Sequence, residues 1–399
     1  MSDFGLPQVI IDFKTKSSSA IKRSARGIVT MLLKNETTNT SKFYKIVDIA
    51  DIPEGLTDKN VDLVKKCLLG APAKILLYTL PNEGVTPAEV EEGETAEPLI
   101  TQATVLKKLY SIKWNYICHP TATTQEMEDL AAWVKTKRNR NRKTFKAVVA
   151  HQPADDKGVI NFTTDHIRVV NPEYTDALNM AGGDATQVPQ NIPEYITYTA
   201  AEYTGRIAGI LAGLALDRSA TYYELSEVVD CDLYEDIDIN ISNGELCLFD
   251  EFDGNGVKIA RACNSLHMFT TDVGEADFRY IKIVEAIDMI TDDIRDTFKD
   301  QYVGKIINDY DHKMLFIGAI HIYFRGLKGN VLDASPTAVN MVDIDEAAQA
   351  DYIKLKGHDD PADLTVQQIR EYNTGTKVML SGRVTPVNAM EDLKITFLL

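Results

Sequence analysis

The chain has 399 residues, 44% hydrophobic and 25% charged, which are ordinary globular values and enough length for two or three domains. A formal net charge of −17 argues against a nucleic-acid binder, which would present a basic face, and favours a soluble particle whose copies repel until specific contacts form. No apolar run approaches the roughly 18 residues of a membrane span, the start Met1-Ser2-Asp3-Phe4-Gly5 lacks a secretory layout, and five scattered cysteines without a CxxC pair read as reduced thiols of a protein made in the cytosol.

The first element is the amino terminus itself. Gln8, Val9, Ile10, Ile11, Asp12 and Phe13 form a segment rich in β-branched and aromatic residues, as strands are. Termini are usually polar and frayed unless something ties them down. Residues 1–17 therefore read as an arm, followed by a serine joint at Ser17-Ser18-Ser19. A buried strand is expected over 26–33, then a helix over 58–69 capped by Asp58 and stopped by Gly70 and Pro72, then a strand over 74–80. Residues 81–98 carry six glutamates and read as a solvated loop.

Alternation follows: helix 102–110, strand 114–118, helix 124–137 capped by Thr123 or Thr124, strand 144–150. This predicts a small α/β unit with parallel pairing. A strand pair is expected at 159–162 and 167–170, an irregular segment over 171–193, and a major helix region over 194–216. Segments 244–249 and 257–262 flank Asp253-Gly254-Asn255-Gly256, a strong hairpin signal. Two long helices should span 275–301 and 304–327. The chain ends in strands at 377–386 and 393–399. The last contains Leu393, Lys394, Ile395, Thr396, Phe397 and Leu398, with a candidate joint at 388–392. The division expected is an arm (1–17), an α/β domain (18–190), a C-terminal core domain (191–387) and a terminal arm strand (388–399). An apolar strand at a chain end must pair with a sheet edge; if that edge belongs to a neighbour, the protein polymerises by strand addition.

Few constellations suggest chemistry. Gly205, Gly209 and Gly213 share a helix face and suit close helix packing; a phosphate loop would place its glycines before the helix, and neither nucleotide fingerprint occurs. Asp250, Glu251, Asp253 and Asn255 resemble a calcium loop only loosely, because its twelfth position is Arg261. Cys247, Cys263 and His267 lack the short paired spacing of zinc sites. Cys118 and His119 point to opposite faces of a strand, and Ser219 lacks the GxSxG elbow and reads as a cap. The acidic stretch 230–238 reads as a solvated face. Lys137 to Lys143 is a basic cluster that complements a helix C-terminus. No catalytic, metal or cofactor site is expected.

Four stretches carry a family resemblance: Gly5-Leu6-Pro7 through Phe13 and on to Arg23-Ser24-Ala25-Arg26-Gly27-Ile28-Val29; Ala208-Gly209 to Tyr222; the hairpin region closing with Arg261-Ala262-Cys263-Asn264-Ser265-Leu266; and Ser381-Gly382-Arg383-Val384-Thr385-Pro386-Val387-Asn388-Ala389-Met390 with the strand after it. Together they bracket nearly the full length. In order and spacing the chain resembles the tail sheath proteins of contractile phage tails and phage-like bacteriocin particles, closest to the shorter type of Gram-positive defective prophages.

The resemblance implies a non-enzymatic subunit of mixed α/β and α+β architecture. Its C-terminal core sheet would be completed by amino- and carboxy-terminal arm strands from neighbouring subunits, with a middle α/β domain facing outward. It implies stacked hexameric rings around an inner tail tube, contraction from a metastable extended state, and baseplate and tail terminator proteins as partners, without nucleic acid or membrane insertion. Strand geometry is compatible: a dozen extended residues reach roughly 40 Å, and an open head-to-tail contact generates a helix. Two alternatives stand beside it, another tail component (baseplate or tube) and an α/β enzyme. The long helices argue against a tube protein; a tightly bound metal or nucleotide would revive the enzyme.

Overall fold

The computed structural model describes residues 21, 25–87, 97–251, 254, 256–269, 275–357 and 360–397. Two compact units result, residues 25–289 with 388–397, and residues 290–387.

The larger unit is built on a seven-stranded sheet. Its elements in chain order are β1 (Ile28–Glu36), β2 (Phe43–Ile46), α1 (Asp58–Leu68), β3 (Lys74–Pro81), α2 (Gln102–Leu109), β4 (Tyr116–Cys118), α3 (Thr124–Asn141), β5 (Lys146–Ala150), β6 (Val159–Phe162), β7 (Ile167–Val170), α4 (Pro172–Met180), β8 (Tyr195–Tyr198), α5 (Ala200–Gly213), β9 (Val228–Asp230), α6 (Ile237–Ser242), β10 (Glu245–Leu246), β11 (Leu248–Asp250) and β12 (Val257–Ile259). The sheet order is β10-β6-β5-β4-β1-β3-β2, parallel except for the edge strand β2. Central strands of such sheets are covered on both faces, so they read as continuous apolar runs. Ile28, Val29, Met31, Leu32 and Leu33 of β1 and Ile75 and Leu77 of β3 are all buried. The chain moves one way from β1 to β3 and the other way from β3 through β4 to β5. Right-handed crossovers then put α1 on one face and α2 and α3 on the other. α5 packs against α1 and covers β1, β4 and β5, so the sheet takes a covering helix and its edge strand β10 from beyond residue 190.

Local chemistry accounts for the boundaries. Thr57, not Asp58, caps α1, its hydroxyl accepting from the Asn60 amide. Thr123 caps α3, and Glu126 reaches back to the Thr123 amide at 2.8 Å, closing a capping box. Under α3, the rings of Trp114, Trp133 and Phe145 cluster with near-parallel planes, the Phe145 centroid 4.1 and 5.2 Å from the two indoles.

Several expectations are corrected. The strands at 159–162 and 167–170 exist but do not pair: β6 joins the large sheet, while β7 is the centre of a separate sheet ordered β8-β7-β9. Segment 171–193 is not irregular throughout; Asn171 caps α4, with Pro172 in its first turn. The helix region opens with a strand, β8. The segment before the hairpin is split at Cys247, with β10 in the large sheet and β11 paired antiparallel to β12.

Helix α7 (Ile281–Gln301) follows, and the division between the units falls within it. The smaller unit adds α8 (Tyr310–Leu327), β13 (Met341–Ile344), α9 (Glu346–Lys356), α10 (Val366–Glu371) and β14 (Leu380–Arg383). α8 starts at the Asp309 cap rather than at Gly304. It buries Phe316, Ile317, Ile320, Tyr323, Phe324 and Leu327 and packs against β13. Its buried Lys313 donates to Gln349 of α9 and to Thr374, and Gln349 donates in turn to the Ile369 carbonyl of α10. β13 and β14 form a two-stranded antiparallel sheet.

Candidate assembly surface

In doubly wound sheets, ligands bind where the strand order reverses, outside the carboxyl ends of the strands. Here that point lies between β1 and β4, and the chain fills it with its own groups. The Lys34 ammonium pairs with Glu126 at 2.7 Å and Glu83 at 2.9 Å, and the Lys34 amide donates to Thr121. Burial alone would raise the Glu126 pKa, but Lys34 and the Thr123 amide hold it below the usual carboxylate range. The α3 amino terminus, where an anion would dock, thus holds its own carboxylate. Buried His119 pairs through Nδ1 with Gln102, and burial pushes its pKa down to about 4, leaving it neutral at pH 7.

At the opposite end of the sheet lies a buried ionic cluster that sequence reasoning missed. Lys146, 2% exposed at the start of β5, bonds Glu285 and Asp288 of α7, each at 2.8 Å. Arg138 of α3 turns inward and grips Asp288 through two bonds of 3.0 Å, while Tyr116 donates to Glu285 at 2.6 Å and Arg26 pairs with the same carboxylate. Burial would raise the Glu285 pKa; Lys146, Arg26 and the Tyr116 hydroxyl instead bring it down to about 2. Gly158 makes room for this, since a Cβ there would sit 1.9 Å from the Arg138 Cδ. No periodicity marks these residues, because a charged side chain reads as solvated until its partners are known.

The three glycines line the face of α5 against α1. A Cβ on Gly209 would lie 2.1 Å from the Cys67 carbonyl oxygen, and one on Gly213 would lie 1.8 Å from that of Gly70. Gly205 faces the flexible tip of Met31 at 2.9 Å.

The terminal segments divide. Gln8, Val9, Ile10, Ile11, Asp12 and Phe13 lie outside the described residues, as does Leu398. At the carboxy terminus, the expected joint over 388–392 is held at its far end. Glu391, its side chain 6% exposed, accepts from the Ser219 and Thr221 hydroxyls at 2.9 Å each, and Arg261 reaches both Glu391 and Asp392. Ser219 is therefore not a helix cap: α5 has already ended at Gly213, and its hydroxyl holds the tail. This clasp walls one side of a cleft of about 840 Å³, facing Tyr222, Ile237, Phe249 and Tyr280. Beyond it, residues 393–397 form no strand within the chain. Leu393, Ile395 and Phe397 are 86%, 60% and 83% exposed, and Lys394 and Thr396 alternate with them.

The remaining candidates resolve into structural roles. Lys137 and Lys143 sit over the Tyr110 ring at 5.2 and 4.3 Å. In the acidic stretch, Asp230 pairs with Arg168, Asp232 with His166, and Asp236 caps α6. All five cysteines are free, and burial raises the pKa of each: Cys67, Cys231 and Cys263 to about 12, Cys247 to about 11, and Cys118 well above its ordinary value. Among the described residues, no three of His, Cys, Asp and Glu converge on a metal site, and no helix is long and apolar enough to cross a membrane.

Comparison with known proteins completes the picture. Residues 100–265 match the phage tail sheath protein central domain, and residues 274–332 match the phage tail sheath C-terminal domain. The tail sheath protein of Clostridium phage phiCD119 is 31% identical over 403 residues, covering 98% of each chain. The anti-feeding prophage helical sheath in its contracted state superposes with a TM-score of 0.65 at 12% identity over 99% of each chain. A sheath tail protein of Listeria innocua gives 0.60 at 16% identity, over 84% of this chain and 92% of that one. With a sheath relative aligned end to end and a shared fold, the chain belongs to the phage tail sheath family, whose members are structural proteins and not enzymes.

Proposed function

We propose that copies of this chain polymerise as stacked hexameric rings around an inner tail tube, and that the sheath contracts from a metastable extended state to drive the tube through a cell envelope. Baseplate and terminator proteins close its two ends, in a virion or a tail-like particle assembled in the host cytoplasm. Residues 1–17 and 388–399 act as arms that add strands to neighbouring subunits. The relative solved as a contracted helical sheath supports the motion.

The observation that carries the strand exchange is the tail beyond Asp392, with apolar side chains on every second residue and all three in water. Burying Leu393, Ile395 and Phe397 in a neighbour would contribute roughly 1.5–3 kcal/mol each. The β13/β14 ribbon supports the complementary half, because two strands alone are marginal and gain by adding a third. A chain truncated after Asp392 should remain monomeric and folded, by sedimentation and circular dichroism, yet form no tubes by negative-stain microscopy. Normal tubes from that chain would refute strand exchange at this end.

A further inference from the structure

The two edges of the β13/β14 ribbon are not equivalent. The Asp345 amide donates to the Met379 carbonyl, which fixes which residues face inward. Counting back along the antiparallel register, Asp343 with Ser381 and Met341 with Arg383 exchange bonds across the ribbon, while Val342 and Gly382 turn their backbone groups outward. On the β14 side, the outward groups of Leu380 and Gly382 have no partner among the described residues. On the β13 side, the edge is occupied. His321 of α8 places Nε2 2.8 Å from the Val342 carbonyl oxygen and 3.1 Å from the Val342 nitrogen.

We infer that His321 guards the β13 edge, so that strand addition starts at β14 and reaches β13 only after the imidazole swings away. The inference rests on the strand-exchange reading above. One ring nitrogen can donate to the carbonyl or accept from the amide, never both at once. The guard therefore always leaves one of the two backbone groups unserved, whereas an incoming strand serves both. That makes the contact strong enough to blunt an exposed edge and weak enough for a matching strand to displace. On the strand-exchange reading, the ribbon thus offers one edge at once and a second on demand.

The test uses the full chain, with the assembly threshold read by sedimentation. His321→Ala should lower the threshold roughly fivefold, the equivalent of one hydrogen bond. His321→Gln should raise the threshold, because an amide of similar reach serves both backbone groups together. A threshold that stays put in the alanine chain while residues 393–399 remain essential overturns the guard alone. If the alanine chain does not fold, a glutamine chain assembling at or below the parent threshold overturns it. Assembly that no longer needs residues 393–399 overturns strand exchange, and the guard falls with it.

Discussion

Replacing Glu285 with glutamine tests the buried cluster beneath the sheet. The carboxyl falls from its ordinary 4.5 to about 2 on folding, so the folded unit favours its ionised form by roughly 3 kcal/mol. Because the folded value is the lower one, that stability is fully present above about pH 4.5 and is lost as pH falls toward 2. Glu285→Gln should therefore cost roughly 3 kcal/mol at pH 7, in the range for breaking a buried pair while leaving its cations behind, and almost nothing near pH 2. Trp114 and Trp133, the only two tryptophans, both lie in the larger unit, so their fluorescence during urea unfolding reports on that unit. The midpoint should shift by roughly 1 M urea at pH 7. An offset that persists unchanged to pH 2, or one below roughly 0.3 M at pH 7, would show that Glu285 is not held by the charges around it.

Gly209→Ala should lower stability by roughly 2 kcal/mol, because forcing α5 away from the Cys67 carbonyl outweighs the ~1 kcal/mol gain in helix propensity; Gly205→Ala, whose one tight contact is the flexible Met31 tip, should cost less, and equal melting temperatures for the two would refute the contact. Glu391→Ala should speed amide exchange over residues 388–392 while leaving the exposed 393–397 unchanged, and unaltered protection there would dismiss the clasp.

Much of the larger unit was legible because helical period, caps and apolar runs agree there. The Thr123/Glu126 box, the stop at Gly70 and the runs of β1 and β3 are local signals with local causes. What stayed hidden depends on partners distant in sequence. Nothing in 159–170 says that β6 and β7 enter different sheets, and nothing near Arg138 or Lys146 announces Asp288. The α4 helix is a different case, since Asn171 before Pro172 is a helix start that the surrounding glycines and glutamines masked. The glycine spacing announced a close approach but not its partner α1. The alternation at 393–397 was plain in sequence, yet a lone chain gives it nothing to pair with.

The shielded thiols have a consequence for the chemistry of this chain with oxidants. Oxidants in aerobic surroundings attack thiolates rather than thiols. Each of the five sulfurs is kept protonated. Oxidation to a disulfide, within one chain or between two, is therefore slowed at every cysteine.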